Sequence, residues 1–210
     1  MTDNIQQYLE STISRCLEDT MTAVTSVPQE ALENMETAAA VMSLSLPDNK
    51  IICLGSSLCQ PLCSIFTQVL NSNHMYTTQK INAVTLNNDA VQMNHLYPNL
   101  GIEESLKVQF DSVVKMNDCL MIISDNANES QNFLSVIQYA HECQIPIIAI
   151  NHLHDNVMKD LLNEDDIQIV LHTQNTANFT EVVLVILNVF NVFLRDIGNQ
   201  DNSVAETLLF

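Results

Sequence analysis

The sequence predicts a three-layer αβα sandwich on a five-stranded parallel sheet, with additional helices at its N-terminus. Two observations carry this expectation. Apolar runs at 51–54, 83–86, 119–123, 146–150 and 167–171 are continuous rather than alternating, as in parallel strands covered on both faces. Stretches of helical spacing lie between them, near 60–72, 89–97, 103–116, 129–143 and 155–162. Alternation of strand and helix builds βαβ units and a layered α/β architecture.

Two helices precede the sheet. Ile5, Leu9, Ile13, Cys16 and Leu17 keep a helical spacing. Pro28 stands where a second helix begins, with Gln29 and Glu30 in its first turn. Leu32, Met35, Ala39, Met42 and Leu46 extend that apolar stripe until Pro47-Asp48-Asn49 breaks it. A long final helix over about 177–196 is mostly apolar and is expected to be buried on nearly every side. The chain therefore reads as one domain over 1–200, with a helical pair at 1–46, an α/β core at 50–196 and a C-terminal tail at 197–210.

Composition narrows the function classes. Of 210 residues 47% are apolar and only 15% charged, which suits a globular chain with a full core. Seven Lys and Arg face 25 Asp and Glu, a formal charge of −18. Such a balance argues against direct binding of nucleic acid and permits a basic protein partner. The N-terminus, Met1-Thr2-Asp3-Asn4, is polar and acidic, unlike a signal peptide. The apolar run at 182–194 is broken by Asn188 and Asn191 and reads as too short and too polar to cross a membrane, which takes about 20 apolar residues. A cytoplasmic location is expected. Cys53 and Cys119 lie in strands as small hydrophobes. Cys59 and Cys63 are one helical turn apart but have no Cys or His at a familiar zinc spacing. With Cys16 and Cys143 they read as reduced structural thiols.

The candidate chemistry sits in two loops. Lys50-Ile51-Ile52-Cys53-Leu54-Gly55-Ser56-Ser57-Leu58-Cys59 ends an apolar run in a glycine and two serines before a helix. Leu120-Met121-Ile122-Ile123-Ser124-Asp125-Asn126-Ala127-Asn128-Glu129-Ser130 repeats the arrangement. Free N–H groups at a helix start and serine hydroxyls both donate to an anion, and ligands of parallel sheets sit at the carboxyl ends of strands. The pair suggests a phosphosugar pocket. Asp125 either points inward or caps the following helix. Inward, it opposes a phosphate by roughly 4 kcal/mol per pair of unit charges about 4 Å apart at an effective dielectric near 20. His152-Leu153-His154-Asp155 reads as a polar loop capping the next helix or as a metal cluster, and His74, His95, His141 and His172 are dispersed. Glu181, Asn188, Asn191 and Arg195 form a polar stripe that either lines a pocket or faces solvent or a subunit.

This order of elements resembles the sugar isomerase (SIS) domain family, and within it the branch of phosphoheptose isomerases and DnaA initiator-associating proteins. The resemblance spans roughly 5–196 and implies a flavodoxin-like sheet. Where the family reads Gly-Asn-Gly-Gly/Thr-Ser, this chain has Gly55-Ser56-Ser57-Leu58-Cys59. Leu86-Asn87-Asn88-Asp89-Ala90-Val91 is similar to the Leu-Asn-Thr-Asp-Asn-Val of the initiator-associating form. The family's Ser-Thr-x-Gly-Asn-Ser appears as Ser124 to Ser130, with one residue added, Asp125 for threonine and Ala127 for glycine. The resemblance thus implies ligand contacts from Gly55, Ser56, Ser57, Asp89, Ser124, Asn126, Asn128, Ser130 and Glu181.

Enolisation in the family needs a carboxylate and an imidazole at the sugar carbons, often with zinc nearby. Its His-x-x-x-Glu falls here on Ile65 and Val69, and its Gln-Glu with a later histidine on Thr180, Glu181 and Asn188. Glu181 is the residual candidate for catalysis; no metal ligands or cofactor are expected. The resemblance implies a non-catalytic phosphosugar-type binding and assembly protein, a homotetramer whose partner is the replication initiator. The alternatives are a sedoheptulose 7-phosphate isomerase of lipopolysaccharide heptose synthesis, and a phosphosugar sensor.

Overall fold

Side chains alternate across a strand, so Ile51 and Cys53 of the first strand enter one core layer while Ile52 and Leu54 enter the other. Both layers need helices, and the computed structural model supplies them; it describes residues 2–46, 48–73, 80–87 and 89–199. The strands are β1 (Lys50–Gly55), β2 (Asn82–Thr85), β3 (Cys119–Ser124), β4 (Ile147–His152) and β5 (Ile167–Leu171). They form one parallel sheet in the order β2-β1-β3-β4-β5. Ile51 is in register with Ala83 on one side and Cys119 on the other.

The first layer holds α1 (Thr2–Thr25), α2 (Gln29–Leu44), α3 (Gln60–Ser72) and α8 (Thr176–Ile197). The second holds α4 (Ala90–Val113), α6 (Leu134–Glu142) and α7 (Asn156–Leu161), around Phe110, Phe133, Ile137 and Met158. The one-turn helix α5 (Ala127–Ser130) follows β3 and passes through a 3₁₀ turn at Gln131–Phe133 into α6. Pro28 precedes α2 as its N-cap. Pro47, His74 and residues 200–210 of the tail lie outside the described residues.

Three expectations are corrected. The helices read at 89–97 and 103–116 are run together as α4, but Gly101 at φ 77 interrupts its helical backbone and it ends at Val113. The helix read at 129–143 begins earlier, at Ala127, because Asn126 Oδ1 accepts the Glu129 N–H at 3.1 Å and caps a separate turn. The final helix is not buried on nearly every side. Phe179, Val183, Ile186, Phe190 and Leu194 are in the core, whereas Leu184, Val185, Val189 and Val192 are 37–47% exposed. At 22 residues α8 is also long and apolar enough to cross a membrane by length and composition, unlike the shorter run read from the sequence. Its inner face packs on α1, α2 and α3.

Over most of its length α1 projects its stripe outward: Ile5, Leu9, Ile13, Leu17 and Met21 are each more than half exposed. Near its C-terminus Ala23 and Val24 pack on the core.

Candidate functional site

In a 2-1-3-4-5 order, the direction in which strands are added reverses between β1 and β3, the switch point at which such sheets bind ligands. The two serine loops leave the sheet there, side by side. Gly55 is required by space: a Cβ on it would lie 2.6 Å from Gln60 N and 2.7 Å from the carbonyl carbon of Cys59. Its N–H donates to Gln60 Oε1 at 2.9 Å, and Gln60 Nε2 donates onward to the Leu86 carbonyl. Gln60, not anticipated from the sequence, thereby brackets the loop to the end of β2.

The serines of the first loop are engaged by the second. Ser56 is buried; its N–H donates to the Ile123 carbonyl at 2.9 Å and its hydroxyl to Asp125 Oδ1 at 2.6 Å. Asp125 therefore points inward, toward the first loop, and Asn126 is the cap of α5. Ser57 donates twice to Glu129 Oε2, from N–H at 2.5 Å and from Oγ at 2.8 Å. Burial raises the Glu129 carboxyl pKa, but the Ser57 N–H, the Ser57 hydroxyl and the Asn126 amide more than offset it and leave the group below its usual range. Glu129 was not singled out from the sequence. Its signal was the added residue: with Ala127 at the family's glycine and Ser130 at its last serine, the extra position is Glu129.

Ser124 and Ser130 are buried and turn inward. Their hydroxyls share a hydrogen bond of 2.6 Å, both lie within reach of the Asn126 carbonyl, and Ser130 donates to the buried Asp155. Asp155 also accepts the Met158 N–H at 3.0 Å and so caps α7. Of the neighbouring histidines, His152 Nε2 bonds the Thr173 carbonyl and His152 Nδ1 accepts the His154 N–H. Asn128 is exposed.

Asp89 lies apart from these loops. It caps α4, accepting the Val91 and Gln92 N–H groups, and borders a separate cleft with Thr85, Leu86 and Gln109. Glu181 is also elsewhere: its Oε2 accepts from Thr20 Oγ1 of α1 at 2.9 Å and from Asn178 Nδ2 at 3.3 Å. Asn188 and Asn191 of the same polar stripe line a cleft of about 390 Å³ between α3 and α8. Arg195 reaches Asp196 at the surface.

The α3–α8 cleft brings together Ile65, Val69 and Asn188, with Phe66, Val185 and Leu187 as further walls. These are the positions matched to the family's catalytic helices. None of the three can titrate a proton near neutrality or supply an imidazole or carboxylate to zinc. Among the described residues no three His, Cys, Asp or Glu side chains converge to hold a metal ion. The family's zinc does not fit these residues.

A doubly wound parallel sheet with paired serine loops at its switch point defines an α/β protein of the flavodoxin-like class. The solved phosphoheptose isomerase of Francisella tularensis superposes with a TM-score of 0.69 at 22% identity, covering 93% of this chain and 98% of that one. That of Neisseria gonorrhoeae gives 0.74 at 16% identity, covering 91% and 99%. A phosphoheptose isomerase of Colwellia psychrerythraea is 30% identical over 149 residues, 68% of this chain and 72% of the relative. The DnaA initiator-associating protein DiaA of Photorhabdus laumondii is 23% identical over 161 residues, 76% and 82% of the two chains. No protein-family model matches the chain. The chain belongs to the SIS domain family, in the branch that holds the phosphoheptose isomerases and the DnaA initiator-associating proteins.

Proposed function

We propose that this chain is a non-catalytic SIS assembly protein of the initiator-associating kind: a cytoplasmic homotetramer that gathers copies of the replication initiator. The α3–α8 cleft is the observation that supports this most. Ile65, Val69 and Asn188 stand where an acid/base pair would be, and none of them can move a proton. Assembly is supported by two exposed apolar faces, the α1 stripe from Ile5 to Met21 and the outer face of α8, since contiguous apolar patches mark interaction sites. The net charge of −18 suits a basic partner and speeds encounter at low salt. Several partners held at once would raise apparent affinity by multivalency.

A second reading, sedoheptulose 7-phosphate isomerase, is favoured by the 30% identity to the Colwellia enzyme and by the carboxylate of Glu181. One experiment separates them. The full chain is assayed for conversion of sedoheptulose 7-phosphate and for capture of the organism's own initiator at rising salt. We expect no turnover, and capture that weakens with salt. Turnover abolished by Glu181→Gln overturns the proposal in favour of the isomerase. Failure to capture the initiator at low salt removes the initiator as partner.

A further inference from the structure

We infer that Glu129 is a built-in anion, a carboxylate of the chain itself that occupies both Ser57 donors of the first serine loop and shuts phosphate-bearing ligands out of the switch point. This deepens the non-catalytic reading and rests on it, by saying why the chain's sugar pocket is closed as well as unable to react.

The donors of the first loop can be followed one by one. Gly55 N–H goes to Gln60, and Ser56 N–H to Ile123. Ser56 Oγ goes to Asp125, and Ser57 N–H and Oγ both go to Glu129 Oε2. Each hydroxyl of the loop meets one carboxylate of the facing loop. A carboxylate is a planar two-oxygen acceptor, and the N–H and hydroxyl of one serine hold one of its oxygens as they would hold a phosphate oxygen. Unlike a free ligand, this one is covalently attached and pays no entropy of association. Asn126 fixes it from behind: Asn126 Oδ1 takes the Glu129 N–H at 3.1 Å, and the Asn126 amide approaches Glu129 Oε1 at 3.5 Å.

Charge reinforces occupancy. Among the described residues no lysine, arginine or histidine forms an ion pair with Asp125 or Glu129. Two carboxylates without a cationic partner therefore sit side by side at these loops, and a phosphate dianion would have to displace one while repelled by both. The buried Cys59 thiol beside Asp125 Oδ1 stays neutral and adds no charge of its own, since burial above all, and then both carboxylates, push it up to about 12.

The test is calorimetric titration of the full-length protein with inorganic phosphate and, separately, sedoheptulose 7-phosphate. Wild type is compared with Glu129→Ala, with the near-isosteric Glu129→Gln, and with Glu129→Ala combined with Ser57→Ala. Circular dichroism and thermal unfolding check that each variant is folded. Wild type is expected to give no saturable heat at millimolar ligand. Glu129→Ala should bind at least ten-fold more tightly, Glu129→Gln should gain less, and Ser57→Ala should remove the gain. Wild-type binding as tight as that of Glu129→Ala, or no gain in folded Glu129→Ala and Glu129→Gln alike, overturns the inference. Turnover is read in the same samples. Wild-type binding as tight as that of Glu129→Ala, without turnover, defeats the inference alone, whereas turnover by wild type defeats the non-catalytic reading as well.

Discussion

Replacing Gly55 with alanine tests the packing that holds the first loop against α3. Gly101 is the described glycine with positive φ; Gly55 is not in that region, so any penalty at Gly55 comes from space alone. The added Cβ would sit 2.6 Å from Gln60 N, 2.7 Å from Cys59 C and 2.9 Å from Cys59 O, where ordinary contact begins at 3.4 Å. The start of α3 must therefore withdraw by about 0.8 Å. All three obstacles are backbone atoms, so no side-chain rotation relieves them. Overpacking of this kind costs about 1–3 kcal/mol. The same shift carries Gln60 off the Gly55 N–H and the Leu86 carbonyl, two hydrogen bonds worth about 0.5–1.5 kcal/mol each. The expected loss is about 2–6 kcal/mol, a large part of a domain's typical 5–15 kcal/mol. Urea unfolding followed by circular dichroism should show a midpoint lower by on the order of 1–2 M, read at one protein concentration because assembly shifts apparent stability. A midpoint within about 0.2 M of wild type, with the slope unchanged, refutes the argument.

Asp118 is fully buried and accepts from Lys50 N at 2.9 Å, Lys50 Nζ at 2.5 Å and Lys115 N at 2.7 Å. Asp118→Ala strands the Lys50 ammonium and two N–H groups and is expected to cost about 3–5 kcal/mol; thermal unfolding indistinguishable from wild type would contradict this. Thiol labelling of the folded protein at pH 8 should modify the exposed Cys16 and Cys143. Cys59 and Cys119 are held at about 12, chiefly by burial, and Cys53 and Cys63 are likewise pushed up, so all four remain neutral thiols at that pH and react once denaturant is added. Rapid labelling of Cys59 in the folded chain would refute the burial assigned to it. Glu129 lies below its usual range, so its folded-state carboxylate contributes stability above the ordinary glutamate pKa of about 4.3, which is lost as pH falls through the lower folded value. The acid unfolding curve of Glu129→Gln should accordingly be flatter than that of wild type below about pH 4.3.

The strands were legible because each carries a short apolar run, and all five begin within a residue of where the sequence placed them. Helix pairs with local signals were legible too, as Pro28 and Asp155 illustrate. The two faces of α8 were not, since both are apolar and only tertiary contacts choose which is covered. Placement of Ser56 and Ser124 at strand ends could be read from their neighbours. The direction of their hydroxyls could not, because Asp125, the partner of Ser56, comes from the facing loop, and Ser130, the partner of Ser124, is brought round by the turn of its own loop. Glu181 shows the same limit: its partner Thr20 is 161 residues away and belongs to a helix that sequence treats as a separate element.

The parallel order of the sheet also has a kinetic consequence. Ser56 and Asp125 are 69 residues apart in the chain, and Ser57 and Glu129 are 72 apart. Neither bridge can close until β1 and β3 have paired across that span, a long loop closure whose entropy must be met before any contact rewards it. The helices and the adjacent β1–α3–β2 unit can condense earlier from local contacts. The bridges between the serine loops are thus expected to form only once β1 and β3 have paired. Stopped-flow folding of Glu129→Gln should then show faster unfolding and a refolding rate nearly untouched, as for contacts that form after the barrier.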